Sequence, residues 1–76
     1  MPPPNPIEIN KDIGWRIRQC REELGISRET LGKAVGVSHS QIAMYENGSE
    51  ILVSRLYEIC WQLKLHIDVS AYLEFL

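Results

Sequence analysis

The chain has 76 residues, of which 45% are hydrophobic and 24% charged, and its formal net charge is −2. This length allows one domain with one modest core. No apolar stretch approaches the roughly 20 residues that a bilayer-spanning helix needs, and the N-terminus MPPPNPIEIN lacks the basic and apolar regions of a signal peptide. We therefore expect a cytoplasmic globular protein with no membrane contact.

The two cysteines, Cys20 and Cys60, fall at apolar helical positions, and we interpret them as small core residues. Two cysteines do not make a disulfide framework. No Cys or His pair has the spacing of zinc ligands, and no nucleophile–base pair is visible. We expect no metal, no cofactor and no enzymatic activity.

All four prolines lie in residues 1–9, which predicts a flexible N-terminal tail ahead of a domain over residues 10–76. Asn10 is a candidate N-cap for a first helix that runs to about Leu24 and ends at Gly25. Its inward apolar positions recur at helical spacing and are Ile13, Ile17, Cys20 and Leu24.

Two short helices follow, each with a start and a stop signal. Ser27 is a favourable N-cap for a second helix over Arg28–Val35, which Gly36 ends. Ser38 is the corresponding N-cap of a third helix, and Asn47-Gly48 supplies a left-handed ending. Because both helices are too short to be stable alone, packing must hold them.

A fourth helix is predicted over roughly Val53–Lys64, with five side chains directed inward: Val53, Leu56, Ile59, Cys60 and Leu63. Beyond it, residues 66–69 alternate like a strand, whereas Ser70 could cap a last short helix through Phe75. The fold class predicted is all-α, with four to five helices.

The third helix has two different faces. Ile42 and Tyr45 lie on one of them. The opposite face carries no charge and little bulk, and consists of Ser40, Ala43, Met44 and Asn47. Six of the eight basic residues lie between Lys11 and Lys33, so one part of an acidic chain can be locally positive.

Residues 28–47 resemble the helix-turn-helix of the lambda-repressor/Cro-like (XRE-type) regulators. The positions that carry the resemblance are Leu31, Gly32, Val35, Gly36, Val37, Ile42 and Tyr45. The likeness extends over roughly residues 11–74, in which YENG looks like the end of the family's recognition helix and SRLYEI like the start of its fourth helix. The SRLYEI segment is most similar to a subset of short bacterial regulators, so the resemblance implies a short single-domain bacterial or phage member. It implies a compact lambda-repressor-like DNA-binding domain whose third helix lies in the major groove.

The resemblance also implies roles for individual residues. Base contacts fall to His39, Ser40, Gln41, Ala43 and Met44. Contacts to the DNA backbone fall to Arg28, Ser27, Asn47, Ser49, Arg16 and Arg18, although a solvated helix face explains the last two equally well. Arg21 and Glu46 are expected to form a structural pair. No arginine is present for a bidentate contact to guanine, so DNA shape should supply part of the specificity.

The loop after YENG departs from the family pattern. It reads Ser49-Glu50-Ile51, so a carboxylate stands where relatives tend to carry a base. Either the affinity for DNA is weak, or the domain contacts a protein instead.

The C-terminal part, about residues 57–76, is expected to form a dimer interface. It contains a large set of aromatic and apolar side chains, namely Tyr57, Trp61, Tyr72, Phe75 and Leu76. A core beneath the C-terminal segment explains Trp61 alone equally well. For the set we expect a twofold homodimer.

The function predicted is a sequence-specific regulator of transcription, a repressor that binds double-stranded DNA as a homodimer. The alternative is a protein-interaction module of the same fold, antitoxin-like or an anti-regulator, with weak or no DNA binding.

Overall fold

Four helices make up the part of the chain that the structure, a computed structural model, describes, which is residues 5–67. They are α1 (Pro6–Glu23), α2 (Arg28–Val35), α3 (His39–Glu46) and α4 (Val53–Leu63). No strand occurs in this range, which confirms the all-α class. The last helix considered for Ser70–Phe75 lies outside the described residues. None of the four helices is long and apolar enough to cross a membrane.

Helix α1 begins earlier than the sequence analysis predicts. Asn5, not Asn10, is the N-cap, and its Oδ1 accepts a hydrogen bond from the Glu8 N–H at 2.9 Å. Pro6 occupies the first helical position, where a missing N–H costs nothing and the fixed φ suits the helix. Residues 6–9 are therefore helical, which corrects that part of the flexible tail predicted for residues 1–9.

The ends of α2 and α3 follow the local signals in the sequence. The Ser27 and Ser38 hydroxyl oxygens accept from the N–H groups three residues on, at 3.0 and 3.1 Å. Gly36 (φ +79°) ends α2, and Gly48 (φ +103°) follows the end of α3. These are left-handed conformations that glycine adopts without strain.

The core lies between the helices, and α3 packs on both α1 and α2 while α4 packs on the same two helices. Its buried apolar side chains are Ile13, Ile17, Leu31, Val35, Ile42, Tyr45, Ile59 and Leu63. The inward orientation predicted for two residues is wrong, because Leu24 is 51% exposed and Val53 is 83% exposed. Both stand at a helix end, where the apolar stripe runs past the helices that cover it.

Two glycines let α3 approach its neighbours at backbone distance. A Cβ at Gly32 would overlap the carbonyl oxygen of Val37, just before α3 begins. A Cβ at Gly14 would overlap the carbonyl oxygen of Tyr45 and lie 2.8 Å from that of Glu46, where α3 ends. Helix α3 is thus fixed near its start by α2 and at its end by α1.

Candidate nucleic-acid interface

The outer face of α3 carries no lysine, arginine, aspartate or glutamate side chain. His39 and Ser40 are exposed, and Met44 is 52% exposed. Gln41 and Ala43 are half-buried beside them, at the margin of this face. The buried Ile42 anchors the opposite side in the core. A slender surface of this kind can enter the major groove, where an α-helix fits, without directing a carboxylate at a phosphate.

A buried ion-pair cluster holds the end of α3. The Glu46 side chain is fully buried and accepts from Arg21 through Nε–H at 2.6 Å and Nη2–H at 3.1 Å. Arg28 donates from Nε to the same carboxylate at 3.0 Å. The hydrogen bonding that Arg21 donates to Glu46 raises the pKa of Arg21, so this guanidinium stays charged. One carboxylate therefore joins α1, α2 and α3.

The start of α2 brings together two of the residues predicted to contact the DNA backbone. The Ser27 hydroxyl caps the helix and donates to Thr30 Oγ1 at 3.0 Å. Arg28 follows with its side chain 37% exposed, and Glu46 engages its Nε. Glu46 thus fixes the position of a guanidinium that is still accessible from solvent.

The two arginines predicted at the flank of the site are paired within α1. Arg16 contacts Asp12 at 3.2 Å, and Arg18 contacts Glu22 at 2.8 Å, both at i,i+4 spacing. The Arg18 hydrogen bond lowers the pKa of Glu22, and the same bond raises the pKa of Arg18. Exposed pairs of this type are weak, so a phosphate can compete for either arginine.

The α3–α4 connection contains the other predicted backbone residues. Asn47 is exposed, and Ser49 is half-buried. The Ser49 N–H donates to the Met44 carbonyl oxygen at 3.0 Å. Glu50 is exposed.

Lys11 is a residue near this site that sequence reasoning missed. Its Cγ would lie 2.8 Å from a Cβ built on Gly48, so the lysine stem crosses the end of α3. Nothing in the sequence links these two positions, because their contact depends on how α1 crosses α3.

The outward face of α4 carries large exposed aromatic side chains. Tyr57 is 68% exposed and Trp61 is 72% exposed. They border a groove of about 680 Å³ that Leu65 and Ile67 also line. The remaining residues predicted for the dimer interface, Tyr72, Phe75 and Leu76, lie outside the described residues.

Both cysteines are half-buried free thiols. The Cys20 Sγ–H donates to the Leu63 carbonyl at 3.3 Å, and Cys20 packs on the core. Burial raises the pKa of both thiols, which makes them poor nucleophiles. Within residues 5–67 no group of three or more His, Cys, Asp or Glu side chains could hold a metal ion.

Comparison with known proteins gives the same family as the geometry. The family model described as helix-turn-helix matches residues 17–70. The "uncharacterized transcriptional regulator in ATPase CF(0) region" of Rhodospirillum rubrum is 43% identical over 61 residues, which cover 79% of this chain and 56% of that protein. An "uncharacterized HTH-type transcriptional regulator" of Sinorhizobium medicae is 43% identical over 72 residues, which cover 93% of this chain and 49% of that protein. The chain spans about half the length of these curated relatives.

The matched residues include α2, the turn at Gly36 and all of α3, the elements whose caps and glycine contacts are described above. The chain therefore belongs to the XRE-type helix-turn-helix family.

Proposed function

We propose that this chain is a cytoplasmic regulator of transcription, a repressor that binds double-stranded DNA sequence-specifically as a homodimer. The observation that carries the proposal is the exposed, slender face of α3, held in place by the buried Glu46 cluster. A helix that contacts base edges must be positioned accurately, and here α1 and α2 each form an ion pair with Glu46 at the C-terminal end of α3.

The chemistry of the exposed face of α3 suggests how bases are read. Ser40 can bond to several bases, and Met44 offers an apolar contact to a thymine methyl group. His39, at the helix start, lies where members of this fold make base contacts. Gln41 and Ala43 flank them. Since no arginine is available on this face, sequence-dependent DNA shape contributes to the choice of site.

Contacts to the sugar–phosphate backbone come from the residues around α3. Arg28 offers an accessible guanidinium that Glu46 orients, and Ser27 lies beside it at the start of α2. Asn47 and Ser49 contact the backbone at the C-terminal end of α3. Arg16 and Arg18 reach flanking phosphates when each gives up the carboxylate that it contacts within α1. These contacts fix register and carry no sequence information.

Titration of duplex DNA at several salt concentrations tests this proposal. The DNA is selected from a random pool, with an unrelated duplex of equal length as the control. We expect tighter binding to the selected sequence and a log affinity that falls steeply with log salt concentration. Binding that is absent for both duplexes would instead favour the protein-interaction module.

The acidic loop gives a sharper prediction. Glu50→Lys should tighten binding to both duplexes with little change in preference, because it replaces a repelled carboxylate with a cation near phosphates. The log–log salt slope should steepen by about 0.9 for each protomer that gains a phosphate contact.

Two variants accompany Glu50→Lys. Arg28→Ala should weaken binding and make the slope shallower by a similar amount. Glu23→Lys changes net charge identically at an exposed position on α1 and should leave the slope nearly unchanged. If neither Glu50→Lys nor Arg28→Ala alters the slope, α3 does not dock in the groove in this orientation.

Homodimerisation through α4 rests on the exposed pair Tyr57 and Trp61. We expect a dimer at micromolar concentration, and Trp61→Glu should make the protein monomeric because it places a charge in an apolar contact. Sedimentation equilibrium measures the mass. Trp15→Glu is the matched control, since Trp15 on α1 is 60% exposed and should tolerate the change as a dimer.

A monomeric wild type, or a dimer that survives Trp61→Glu with its helical circular dichroism intact, contradicts this interface. A monomeric but folded Trp61→Glu should also bind the selected DNA more weakly, because two linked α3 helices no longer engage half-sites about 34 Å apart.

A further inference from the structure

Lys11 lies across the C-terminal end of α3. A Cβ on Gly48 would be 2.8 Å from Lys11 Cγ and 3.5 Å from its Cα, so both the stem and the α1 backbone pass this point closely. The Lys11 side chain is exposed. Gly14, one turn further along α1, permits the close approach of α1 to α3, because a Cβ there would overlap the Tyr45 carbonyl oxygen and lie 2.8 Å from that of Glu46. The lysine is therefore held beside the α3–α4 connection.

This end of α3 has no cation of its own. Its last turn contains no basic residue, and the connection to α4 contains the exposed Glu50 but no lysine or arginine. The C-terminal carbonyl groups of a helix also carry partial negative charge. Without a contribution from another element, this region would repel a phosphate.

Most of the basic residues are already engaged by carboxylates. Ion pairs occupy Arg16, Arg18, Arg21, Arg28, Lys33 and Arg55. Among residues 5–67, only Lys11 and Lys64 have no such ion pair, and Lys64 follows the end of α4. Lys11 is thus the uncommitted cation beside α3.

We propose that Lys11 binds a DNA backbone phosphate next to the C-terminal end of α3 and supplies, from α1, the positive charge that the α3–α4 connection lacks. This inference rests on the proposed DNA-binding function. It assigns a phosphate contact to a residue outside the helix-turn-helix, on the turn of α1 that passes the C-terminal end of α3.

The test compares Lys11→Gln with wild type on the selected duplex and on the unrelated duplex, between 50 and 200 mM salt. The slope of log affinity against log salt concentration should become shallower by about 0.9 for each bound protomer. The ratio of the wild-type affinity to the Lys11→Gln affinity should therefore fall about 3.5-fold per contact over this range. The loss should be equal on both duplexes. Lys11→Arg should retain the wild-type slope.

Lys33→Gln is the matched control, because it makes the same change of charge on an exposed face of α2. An equal change of slope in Lys33→Gln would show a response to net charge alone and would overturn the proposal. So would a Lys11→Gln variant that lowers the thermal midpoint but keeps the wild-type slope, since Lys11 would then only stabilise the end of α3. If the wild type binds neither duplex, the proposed function itself fails.

Discussion

Glu46→Ala should lower the free energy of unfolding by about 3–5 kcal/mol, because it leaves the guanidinium of Arg21 buried without its counter-charge. The Arg21 side chain is only 10% exposed, and it would keep a hydrogen bond to the Ile26 carbonyl oxygen at 3.0 Å and a longer ion pair with the exposed Glu22 carboxylate at 3.9 Å. Urea denaturation followed by circular dichroism measures the loss. The dependence on urea should keep its slope if the folded and unfolded states are otherwise unchanged.

Two controls separate the charge effect from a general effect of alanine. Glu22→Ala removes an exposed carboxylate from the same neighbourhood and should change stability by less than about 0.5 kcal/mol. Arg21→Met combined with Glu46→Met removes both charges and should recover most of the stability, since apolar pairs often replace buried ion pairs without loss.

The double variant should nevertheless bind DNA less well than the wild type. Arg28 would no longer have the Glu46 oxygen that orients its guanidinium, and α3 would lose its polar link to α2. A Glu46→Ala protein as stable as the wild type would contradict the role given to this carboxylate. Full DNA affinity in the double variant would show that the cluster serves stability alone.

The second large effect is expected at Ile42. Ile42→Ala should destabilise the domain by roughly 2–5 kcal/mol, because the side chain is fully buried and the cavity cannot close completely. Met44, two residues away, is half-exposed, so Met44→Ala should stay within about 0.5 kcal/mol of the wild type. The same contrast should hold for Ser40→Ala, which removes an exposed hydroxyl.

The effects on sequence preference should have the opposite order to the effects on stability. Met44→Ala and Ser40→Ala should alter which sequences are recovered from a random pool, whereas Ile42→Ala should mainly reduce the fraction of folded protein. If Met44→Ala destabilised as much as Ile42→Ala, the assignment of the two faces of α3 would be incorrect. Unchanged sequence preference in both surface variants would remove these residues from base reading.

Local signals in the sequence were sufficient for the helix-turn-helix itself. The helix caps depend only on nearby residues, so they can be predicted without a tertiary structure. Two are serine N-caps, at Ser27 and Ser38, and two are glycines with positive φ, at Gly36 and Gly48. The start of α1 differs from the prediction because proline, which breaks a helix in its interior, is tolerated in the first turn.

Contacts between helices could not be read in the same way. Gly14 is unremarkable within α1, and only the crossing of α1 with α3 gives it a reason to lack a side chain. The bond from Arg28 to Glu46 likewise joins residues on two helices, whereas the family resemblance implied only a contact of Arg28 with the DNA backbone. Val53 shows the reverse case, since its apolar character predicted burial, whereas no helix within residues 5–67 covers it.

The pairing of the arginines within the protein affects what fraction of a regulator's copies binds unrelated genomic DNA instead of the target site. Unrelated DNA attracts a protein almost entirely through uncommitted cations, and a genome offers on the order of 10⁶–10⁹ such competing sites. In this chain six of the eight lysine and arginine side chains pair with carboxylates, so each must exchange a partner before it binds a phosphate, and the net charge is −2. If the proposed function holds, few copies are sequestered on irrelevant sequence, so modest expression suffices to occupy a target site.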